Sequence, residues 1–337
     1  MPFIRELSLT RRRLLVGAST CVIACTGGPG SRRTTPPPEL RVEIPPGVST
    51  RRVTFASAGV ELVGDLYLPP HRGAPAPAAA ILGPFGFVRE QSPTQYAVRL
   101  AAQGVVALAF DPRNHGESGG APRRHESPAL KVLDAQAAVE FLASQPEVDA
   151  TKIGVVGVCQ GATPMLQAAA DDGRIKALVT VAGAFLAGGG GSFIERRIKR
   201  GLAARERYAR SGEVDYLPII DPVRDDVGLP SAYIWRWYKQ WEGVSRWENR
   251  YAVMSDADVW SYDVSPAASR VRCPYLMVHS EEAHSPASAR EMFASVASST
   301  KRSLWDERAP HHVQFYSDPP TVDRASRSIA EWFKAQM

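Results

Sequence analysis

The chain has 337 residues, of which 44% are hydrophobic and 22% charged, values typical of a soluble globular protein. This length accommodates one large α/β domain with an insertion, or two small domains. The formal net charge is +5, but beyond the N-terminus the basic residues are interleaved with acidic ones and form no stripe. This pattern argues against a nucleic-acid-binding surface.

The first 25 residues have the features of an export signal. Thr10-Arg11-Arg12-Arg13-Leu14-Leu15 resembles the twin-arginine motif, and the apolar stretch over 14–24 is about half the ~20 residues that span a bilayer. Val22-Ile23-Ala24-Cys25 resembles a lipobox, at which bacterial lipoproteins are cleaved and lipidated on cysteine. We therefore predict an exported periplasmic or cell-envelope protein, tethered to a membrane through lipidated Cys25. The alternative is cleavage nearby with Cys25 lost or unmodified.

Residues 26–50 are rich in proline and glycine, a composition that cannot pack a core and predicts a semi-extended linker. The folded domain is expected over 51–337, where the two cysteines are Cys159 and Cys273. Cys273 precedes a proline at the start of a predicted strand, and Cys159 lies in a predicted tight turn. We therefore expect no disulfide between them.

Apolar runs alternate with helical segments along this domain. Strands are predicted over 52–56, 61–67, 78–82, 105–110, 152–156, 177–182, 275–279 and 302–306. Helices are predicted over 95–103, 127–144, 162–170, 286–296 and from 321 towards the C-terminus. The side chains expected to face inward are Leu130, Leu133, Ala137 and Phe141 on the second helix and Val322, Ala325, Ile329 and Trp332 on the last. The alternation predicts an α/β fold with a mainly parallel sheet and helices on both faces.

The segment from about 185 to 262 breaks this alternation. It begins with four glycines at 188–191, becomes helical and charged, and then rich in tryptophan and tyrosine. Because it lies between two core strands on the carboxyl side of the sheet, we predict a helical lid. The glycines are expected to form a hinge rather than a phosphate loop, since no Lys-Ser/Thr follows them. The chain has no metal-ligand spacing of Cys and His and no dinucleotide-binding glycine motif, so no cofactor or metal is predicted.

The pentapeptide Gly157-Val158-Cys159-Gln160-Gly161 is the most informative motif. It follows an apolar strand and precedes a run of helix formers, which is the context of a nucleophile elbow. In such an elbow a strained turn between strand and helix lifts the nucleophile clear of the sheet, and flanking glycines leave room for the crossing. The position thus predicts Cys159 as a nucleophile; the alternative is a small buried cysteine after a core strand.

A thiol nucleophile needs a base to take its proton and a carboxylate to orient that base. In the order expected for such an elbow, the acid follows a later strand and the histidine comes last. Glu281 follows the predicted strand 275–279, and His311-His312 follow the predicted strand 302–306. The order of these groups therefore fits a Cys-Glu-His triad.

From about residue 50 to the C-terminus the chain resembles the α/β-hydrolases related to dienelactone hydrolase, in which a Cys-Asp/Glu-His triad replaces the serine version. The stretches that carry the resemblance are 83–91, 110–118, 148–154, 157–161, 247–255, 277–281 and 309–316. The resemblance implies that Cys159 is the nucleophile, that His312, in the pattern His-Val-x-x-Tyr, is the base, and that Glu281, in His-Ser-Asp/Glu, is the acid. Glu282 remains an alternative acid, and His311 is implied to be a bystander.

His115 lies in an Asn-His-Gly turn that occurs in many members of this fold, and we expect it to be a structural, hydrogen-bonded turn residue. The oxyanion hole of such an enzyme needs two backbone N–H groups aimed at the developing negative charge. One is expected from Gln160, directly after the nucleophile. The other is expected from the loop after strand 78–82, where Pro84 has no N–H and Phe85 is the better candidate.

These features predict an exported hydrolase that cleaves a small-molecule carboxylic ester or lactone through a cysteine acyl-enzyme. A thiolate is reactive but also a good leaving group, which disfavours amides and favours activated esters, lactones or thioesters. An acyltransferase or thioesterase with the same triad is one alternative. A catalytically silent binding lipoprotein of the same fold is another, because fold alone does not dictate function.

Overall fold

The computed structural model of the chain describes residues 40–70, 73–185 and 191–337. The predicted export signal with Cys25, residues 26–39 of the predicted linker and residues 188–190 of the predicted hinge lie outside these ranges. Within them, no helix combines the length and the apolar character that crossing a membrane would require.

An eight-stranded sheet forms the centre of the fold. The strands of the described residues are β1 (Ser49–Ser57), β2 (Val60–Leu68), β3 (Ala76–Leu82), β4 (Val106–Phe110), β5 (Val148–Val158), β6 (Ile175–Val181), β7 (Tyr216–Leu217), β8 (Ile220–Asp221), β9 (Leu229–Pro230), β10 (Tyr251–Ala252), β11 (Tyr275–His279) and β12 (Lys301–Trp305). The order in the main sheet is β1-β2-β4-β3-β5-β6-β11-β12. Pairing is antiparallel from β1 to β2 and from β2 to β4, and parallel from β4 onwards.

Helices cover both faces of this sheet, which confirms the predicted fold class. They are α1 (Ser92–Ala102), α2 (Pro128–Ala143), α3 (Ala162–Asp171), α4 (Ser192–Ser211), α5 (Ala232–Tyr238), α6 (Ser255–Ser261), α7 (Ser265–Ala268), α8 (Pro286–Ser295), α9 (Gln314–Ser317) and α10 (Pro319–Gln336). Side chains of α1 and α10 pack in one hydrophobic cluster, and those of α2, α3 and α8 in another. Ala79 and Ile81 of β3 belong to the first cluster and Ala78 and Ala80 to the second, because successive strand residues point to opposite faces.

Local sequence explains most of these boundaries. The β1–β2 hairpin turns on Ala58 and Gly59, both with positive φ, as a two-residue turn that matches strand twist requires. Helix α1 begins at Ser92, earlier than the predicted residue 95, because Pro93 is tolerated in a first turn. Gly104, at φ +90°, follows this helix in the left-handed conformation that commonly ends helices.

The predicted inward face of α10 is confirmed, and that of α2 is partly wrong: Ala137 and Phe141 pack against the core as predicted, but Leu133 is exposed. On α10 the buried side chains include Val322, Ala325, Ile329 and Trp332. On α2 the buried set includes Lys131 and Asp134, whereas Leu133 is 40% exposed. The helix is apolar on nearly every side, so its rotation is decided by charged partners in neighbouring loops. These partners are Glu126 for Lys131 and Arg113 for Asp134.

All the predicted site residues lie at one edge of the sheet. Phe85 follows β3, Cys159 directly follows β5, Glu281 follows β11 and His312 follows β12. These four strands run parallel to one another, so their carboxyl ends share an edge, where open α/β sheets bind ligands. Residues 191–262, here called the insertion, carry α4, α5 and α6 and lie in sequence between β6 and β11.

Candidate active site

Cys159 lies in a strained turn between β5 and α3. Its φ is +55°, which is uncommon for a residue with a Cβ atom. A Cβ on Gly157 would lie 2.5 Å from the carbonyl oxygen of Gly161, and a Cβ on Gly161 would lie 2.6 Å from that of Gly83. Both glycines are therefore required by the close crossing of strand, turn and helix. This is the geometry of a nucleophile elbow.

The thiol of Cys159 is buried, with 9% of the residue exposed. Burial raises its pKa to about 11. Hydrogen bonds from the Tyr316 hydroxyl and from the backbone N–H groups of Gln160 and Phe85 oppose this rise, as does the positive charge of Lys131. At neutral pH the resting group is therefore a protonated thiol that lies among groups able to stabilise a thiolate.

The two N–H groups expected to form an oxyanion hole converge on this thiol. Gln160 and Phe85 each hydrogen-bond to the Cys159 side chain through the backbone. They come from different loops, after β5 and after β3, and both residues are buried. Two such donors aimed at one point can hold the negative oxygen that forms when a nucleophile adds to a carbonyl group.

His312 lies in a buried loop and shares a neighbour, Tyr316, with Cys159. Its ring packs against the ring of Tyr316, with centroids 5.3 Å apart, and Tyr316 in turn contacts the Cys159 thiol. Burial, together with His284 and His279, lowers the His312 pKa to about 3, so the imidazole is neutral. Its Nδ1 accepts a hydrogen bond from the backbone N–H of His284 at 3.1 Å. The proton of the neutral ring is therefore on Nε2.

The structure does not bring Glu281 to His312. The Glu281 side chain is 57% exposed and pairs with Arg290 of α8. The rival Glu282 is equally exposed, and its carboxylate lies 3.8 Å from Nδ1 of His311. Over the described ranges, no carboxylate hydrogen-bonds to His312, whose Nδ1 is occupied by the N–H of His284.

His115 is buried, and its Nε2 lies 3.5 Å from the carboxylate of Glu126. Nδ1 of His115 is 2.9 Å from the carbonyl oxygen of Arg113, and burial lowers the pKa of His115 to about 4. This agrees with the expectation of a hydrogen-bonded turn histidine. Cys159 and Cys273 are both free thiols, as expected.

Two aromatic residues of the insertion pack against the site. The hydroxyl of Tyr238 lies 3.5 Å from the carbonyl oxygen of Phe85, and the charge of a thiolate at Cys159 would raise the Tyr238 pKa further. The indole N–H of Trp237 donates to the Ser317 hydroxyl at 2.7 Å, which joins the insertion to α9, the short helix that follows His312. Tyr238 and Trp237 belong to the same hydrophobic cluster as Cys159, which is only 9% exposed.

Sequence reasoning missed three polar residues beside the thiol. Tyr316 was visible as the tyrosine of the His-Val-x-x-Tyr pattern, but no role was assigned to it. Lys131 and Glu126 form a buried ion pair near the two N–H donors. The available signal was a lone lysine in the apolar sequence of α2, since lysine is almost never fully buried unless it is paired.

The chain belongs to the alpha/beta hydrolase family, whose model matches residues 73–325. A solved dienelactone hydrolase from Anabaena variabilis has a like fold, with a TM-score of 0.53 at 15% identity over 86% of this chain and 99% of that chain. At this identity the likeness is one of fold alone.

Two relatives are more similar in sequence. The uncharacterised protein PA2218 of Pseudomonas aeruginosa is 50% identical over 135 residues, an alignment that covers 40% of this chain and only 36% of that protein. The crystal structure of PA2218 matches with a TM-score of 0.75 at 29% identity, over 88% of this chain and 96% of that chain. A polyketide transferase of Aspergillus fumigatus is 30% identical over 249 residues, which cover 72% of this chain and 84% of that protein. The proteins similar to this chain thus include one named as a dienelactone hydrolase and one named as a polyketide transferase.

Among the described residues, no group of three or more His, Cys, Asp or Glu side chains has the arrangement of a metal site.

Proposed function

We propose that this α/β-hydrolase cleaves a small-molecule carboxylic ester, lactone or thioester through an S-acyl intermediate on Cys159. The observation that carries the proposal is the elbow geometry, in which the N–H groups of Phe85 and Gln160 both meet the thiol of a residue at φ +55°. A buried structural cysteine needs neither a strained backbone nor two converging donors. Both features serve a group that attacks a carbonyl carbon.

In the proposed reaction the thiol proton passes to His312 as the sulfur adds to the acyl carbon. The carbonyl oxygen becomes an oxyanion and takes the place of the thiol at the N–H groups of Phe85 and Gln160. The C–O or C–S bond to the leaving group then breaks, and the leaving group takes the proton from His312. Water, deprotonated by the same imidazole, adds to the S-acyl carbon and releases the acid and the free thiol. In the resting tautomer the proton is on Nε2, so the ring must give up that proton and take one on Nδ1, by exchange with water, before Nε2 can act as a base.

Glu281 supplies the required change of tautomer if its loop shifts. Glu281 and His284 belong to the same short loop between β11 and α8. One movement of this loop withdraws the His284 N–H from Nδ1 and brings in the carboxylate. The ring then exchanges its Nε2 proton through water for a proton on Nδ1, and the carboxylate accepts a hydrogen bond from this Nδ1–H. The ion pair with Arg290 does not prevent this, because both side chains are more than half exposed and water weakens such pairs.

Acyl transfer to an acceptor other than water is the second candidate. It is favoured by the burial of Cys159 and by the aromatic residues Trp237 and Tyr238, which exclude water from the thiol. The relative named as a polyketide transferase supports the same reading. The residues that form the S-acyl enzyme are identical in the two reactions, and only the acceptor differs.

We further propose that the protein acts outside the cytoplasm, exported by the twin-arginine motif at Arg11 and Arg12 and tethered through Cys25. The support is the sequence of residues 1–25. A tethered enzyme would meet substrates that arrive from the cell envelope rather than from the cytoplasm.

The test is turnover of nitrophenyl esters, lactones and N-acetylcysteamine thioesters of increasing acyl length by purified protein, with and without alcohol and amine acceptors. We expect turnover, an acyl adduct on Cys159 by mass spectrometry with a slow substrate, and no turnover by Cys159→Ala. Product ratios with acceptors separate hydrolysis from transfer. Full activity in a folded Cys159→Ala protein would overturn the mechanism.

A further inference from the structure

Glu126 and Lys131 form a buried ion pair that contacts Gly86 and Gln160, the residues beside and at the two predicted oxyanion donors. Glu126, in the loop after β4, has a side chain that is 0% exposed, and its partner Lys131, on α2, has one that is 3% exposed. Removing two charges from water is expensive, and a buried pair is often no more stable than apolar residues of the same size. Stability alone therefore does not account for this pair.

The glutamate holds the loop of the first donor. Oε2 of Glu126 accepts a hydrogen bond from the backbone N–H of Gly86 at 3.1 Å. Gly86 directly follows Phe85, whose own N–H faces the thiol, so the bond fixes the peptide plane next to the donor. The backbone N–H of Glu126 donates to the Ser255 hydroxyl at 2.9 Å, which ties the same residue to α6 of the insertion.

The lysine holds the residue that carries the second donor. Nζ of Lys131 donates to Oε1 of Gln160 at 3.4 Å, and the Gln160 side chain is buried with it. The backbone N–H of Gln160 faces the thiol. Lys131 also acts on the nucleophile directly, because its positive charge favours the thiolate form of Cys159.

We propose that Glu126 and Lys131 are positioning residues that hold the N–H groups of Phe85 and Gln160 at the separation an oxyanion requires. This inference rests on the proposed function, since it assigns a role within the same site. Preorganised donors are effective because they need no reorientation when charge develops on the substrate oxygen. The pairing of β3 with β5 fixes where the two loops start, and the ion pair adds a contact between the residues at and beside the two donors, so its loss should loosen their alignment.

The test uses paired substitutions, because a single substitution leaves an uncompensated buried charge that is strongly destabilising. Glu126→Leu with Lys131→Met removes both charges and both tethers at similar volume. Glu126→Gln with Lys131→Met keeps an acceptor for the Gly86 N–H and removes the lysine tether alone. The matched control is Arg113→Met with Asp134→Asn. That buried pair also involves α2, but its contacts are with Ser57 and not with the donors.

Three readouts separate positioning from structural support. Far-UV circular dichroism and thermal melting establish folding, steady-state kinetics give kcat and KM, and the iodoacetamide rate against pH gives the titration of Cys159. For the Leu/Met variant we expect kcat to fall by about 10²–10³-fold, the range for loss of an oxyanion donor, with KM within about threefold. The Gln/Met variant should lose less in kcat. In both, the alkylation midpoint should move to higher pH, and the control should resemble wild type in kcat and midpoint.

A folded Leu/Met variant with wild-type kcat and alkylation midpoint would overturn the inference. If that variant does not fold, the Gln/Met variant decides the question, and an unchanged midpoint in it overturns the inference equally. Alkylation does not depend on turnover. If wild type turns over none of the substrates, the proposed function fails while the alkylation measurement still tests the role of Lys131.

Discussion

The hydroxyl group of Tyr316 is hydrogen-bonded to the thiol of Cys159. The two residues are far apart in sequence, one at the elbow and one in the short helix α9 that follows His312. Both side chains are buried, and burial raises the pKa of each group. The phenol therefore stays protonated and serves as a donor to whatever negative charge forms on the sulfur.

Tyr316→Phe should weaken the nucleophile without unfolding the protein. A hydrogen bond to a charged group contributes about 1.5–3 kcal/mol, so the alkylation rate of Cys159 at pH 8 should fall by roughly 10–100-fold. The matched control is Tyr96→Phe, which removes another buried hydroxyl, bonded to the Phe315 carbonyl oxygen at 2.8 Å. Equal alkylation rates of Cys159 in the two variants would show that the Tyr316 hydroxyl does not stabilise the thiolate.

The value of kcat/KM should not fall as the pH drops through 6.5, as it would for a base with the usual pKa of histidine. Burial lowers the pKa of His312 from 6.5 to about 3 and raises that of Cys159 to about 11, so the neutral pair persists between these limits. We expect kcat/KM, which reports the free enzyme, to be flat from pH 8 down to pH 5. The assignment of His312 as base would be contradicted if kcat/KM of the wild type fell to half its maximum near pH 6.5 and this fall were absent in His311→Ala. The titrating base would then be His311.

The same shift has a consequence for stability. The unfolded chain gains a proton on His312 below pH 6.5, while the folded chain resists it until about pH 3. The contribution of His312 to the free energy of unfolding is therefore present above pH 6.5 and lost as pH falls towards 3. His312→Gln should melt with a weaker pH dependence in this window, by calorimetry.

Glu281→Gln should lower kcat by roughly 10²–10⁴-fold, as loss of an orienting carboxylate does in triad enzymes. The thermal melting temperature should change little, because the group is exposed. Glu282→Gln, at equal exposure, should be near neutral, and Arg290→Ala should preserve or raise kcat by freeing Glu281. The reverse ranking of the two glutamates would move the acid by one residue; neutrality of both would leave His312 without a carboxylate partner.

Gly161→Ala should destabilise the fold by about 1–3 kcal/mol, the usual effect of overpacking. The added Cβ would lie 2.6 Å and 2.7 Å from the carbonyl oxygens of Gly83 and Leu82, which are backbone atoms that cannot rotate away. Gly173→Ala is the control, because a Cβ there meets nothing within 4 Å. Equal unfolding midpoints in urea would show that the elbow tolerates a side chain.

Substitution of Arg11 and Arg12 by lysine should retain the protein in the cytoplasm, and Cys25→Ala should release it from membranes. Stable anchoring takes more than one acyl chain, so the lipidated form should resist washing with high salt. Cell fractionation and blotting provide the measurement. Wild-type distribution of both variants would contradict the export and tether proposals.

The sequence predicted the order of strands and helices and the meeting of Cys159, Gln160 and Phe85, because these depend on local chemistry. An apolar run, a turn flanked by glycines and a proline without an N–H each act within a few residues. The parallel arrangement of the strands then brings the loops that follow them to the carboxyl edge of the sheet, independently of side-chain conformation.

Side-chain direction in the other loops was not predictable in the same way. Whether Glu281 faces His312 or Arg290 depends on a competition between partners, one of them on α8. The rotation of α2 likewise depends on loop residues that supply opposite charges to Lys131 and Asp134. No hydrophobic period in α2 encodes those partners, because the helix is apolar nearly all round.

The hydrogen bond from the Glu126 backbone to Ser255 has a consequence for how the enzyme responds to what it binds. Ser255 begins α6 of the insertion, and the Glu126 side chain ends at the peptide beside Phe85. If the insertion closes over the thiol during the proposed reaction, this closure and the alignment of the predicted oxyanion donors are linked through Glu126, by one hydrogen bond at each end. Thermodynamic linkage requires that, if closure of the insertion stabilises a tetrahedral adduct, the adduct stabilises the closed insertion by the same free energy. The insertion would then be most firmly closed while the tetrahedral adduct is present, and the acyl group would leave the site most slowly at that stage.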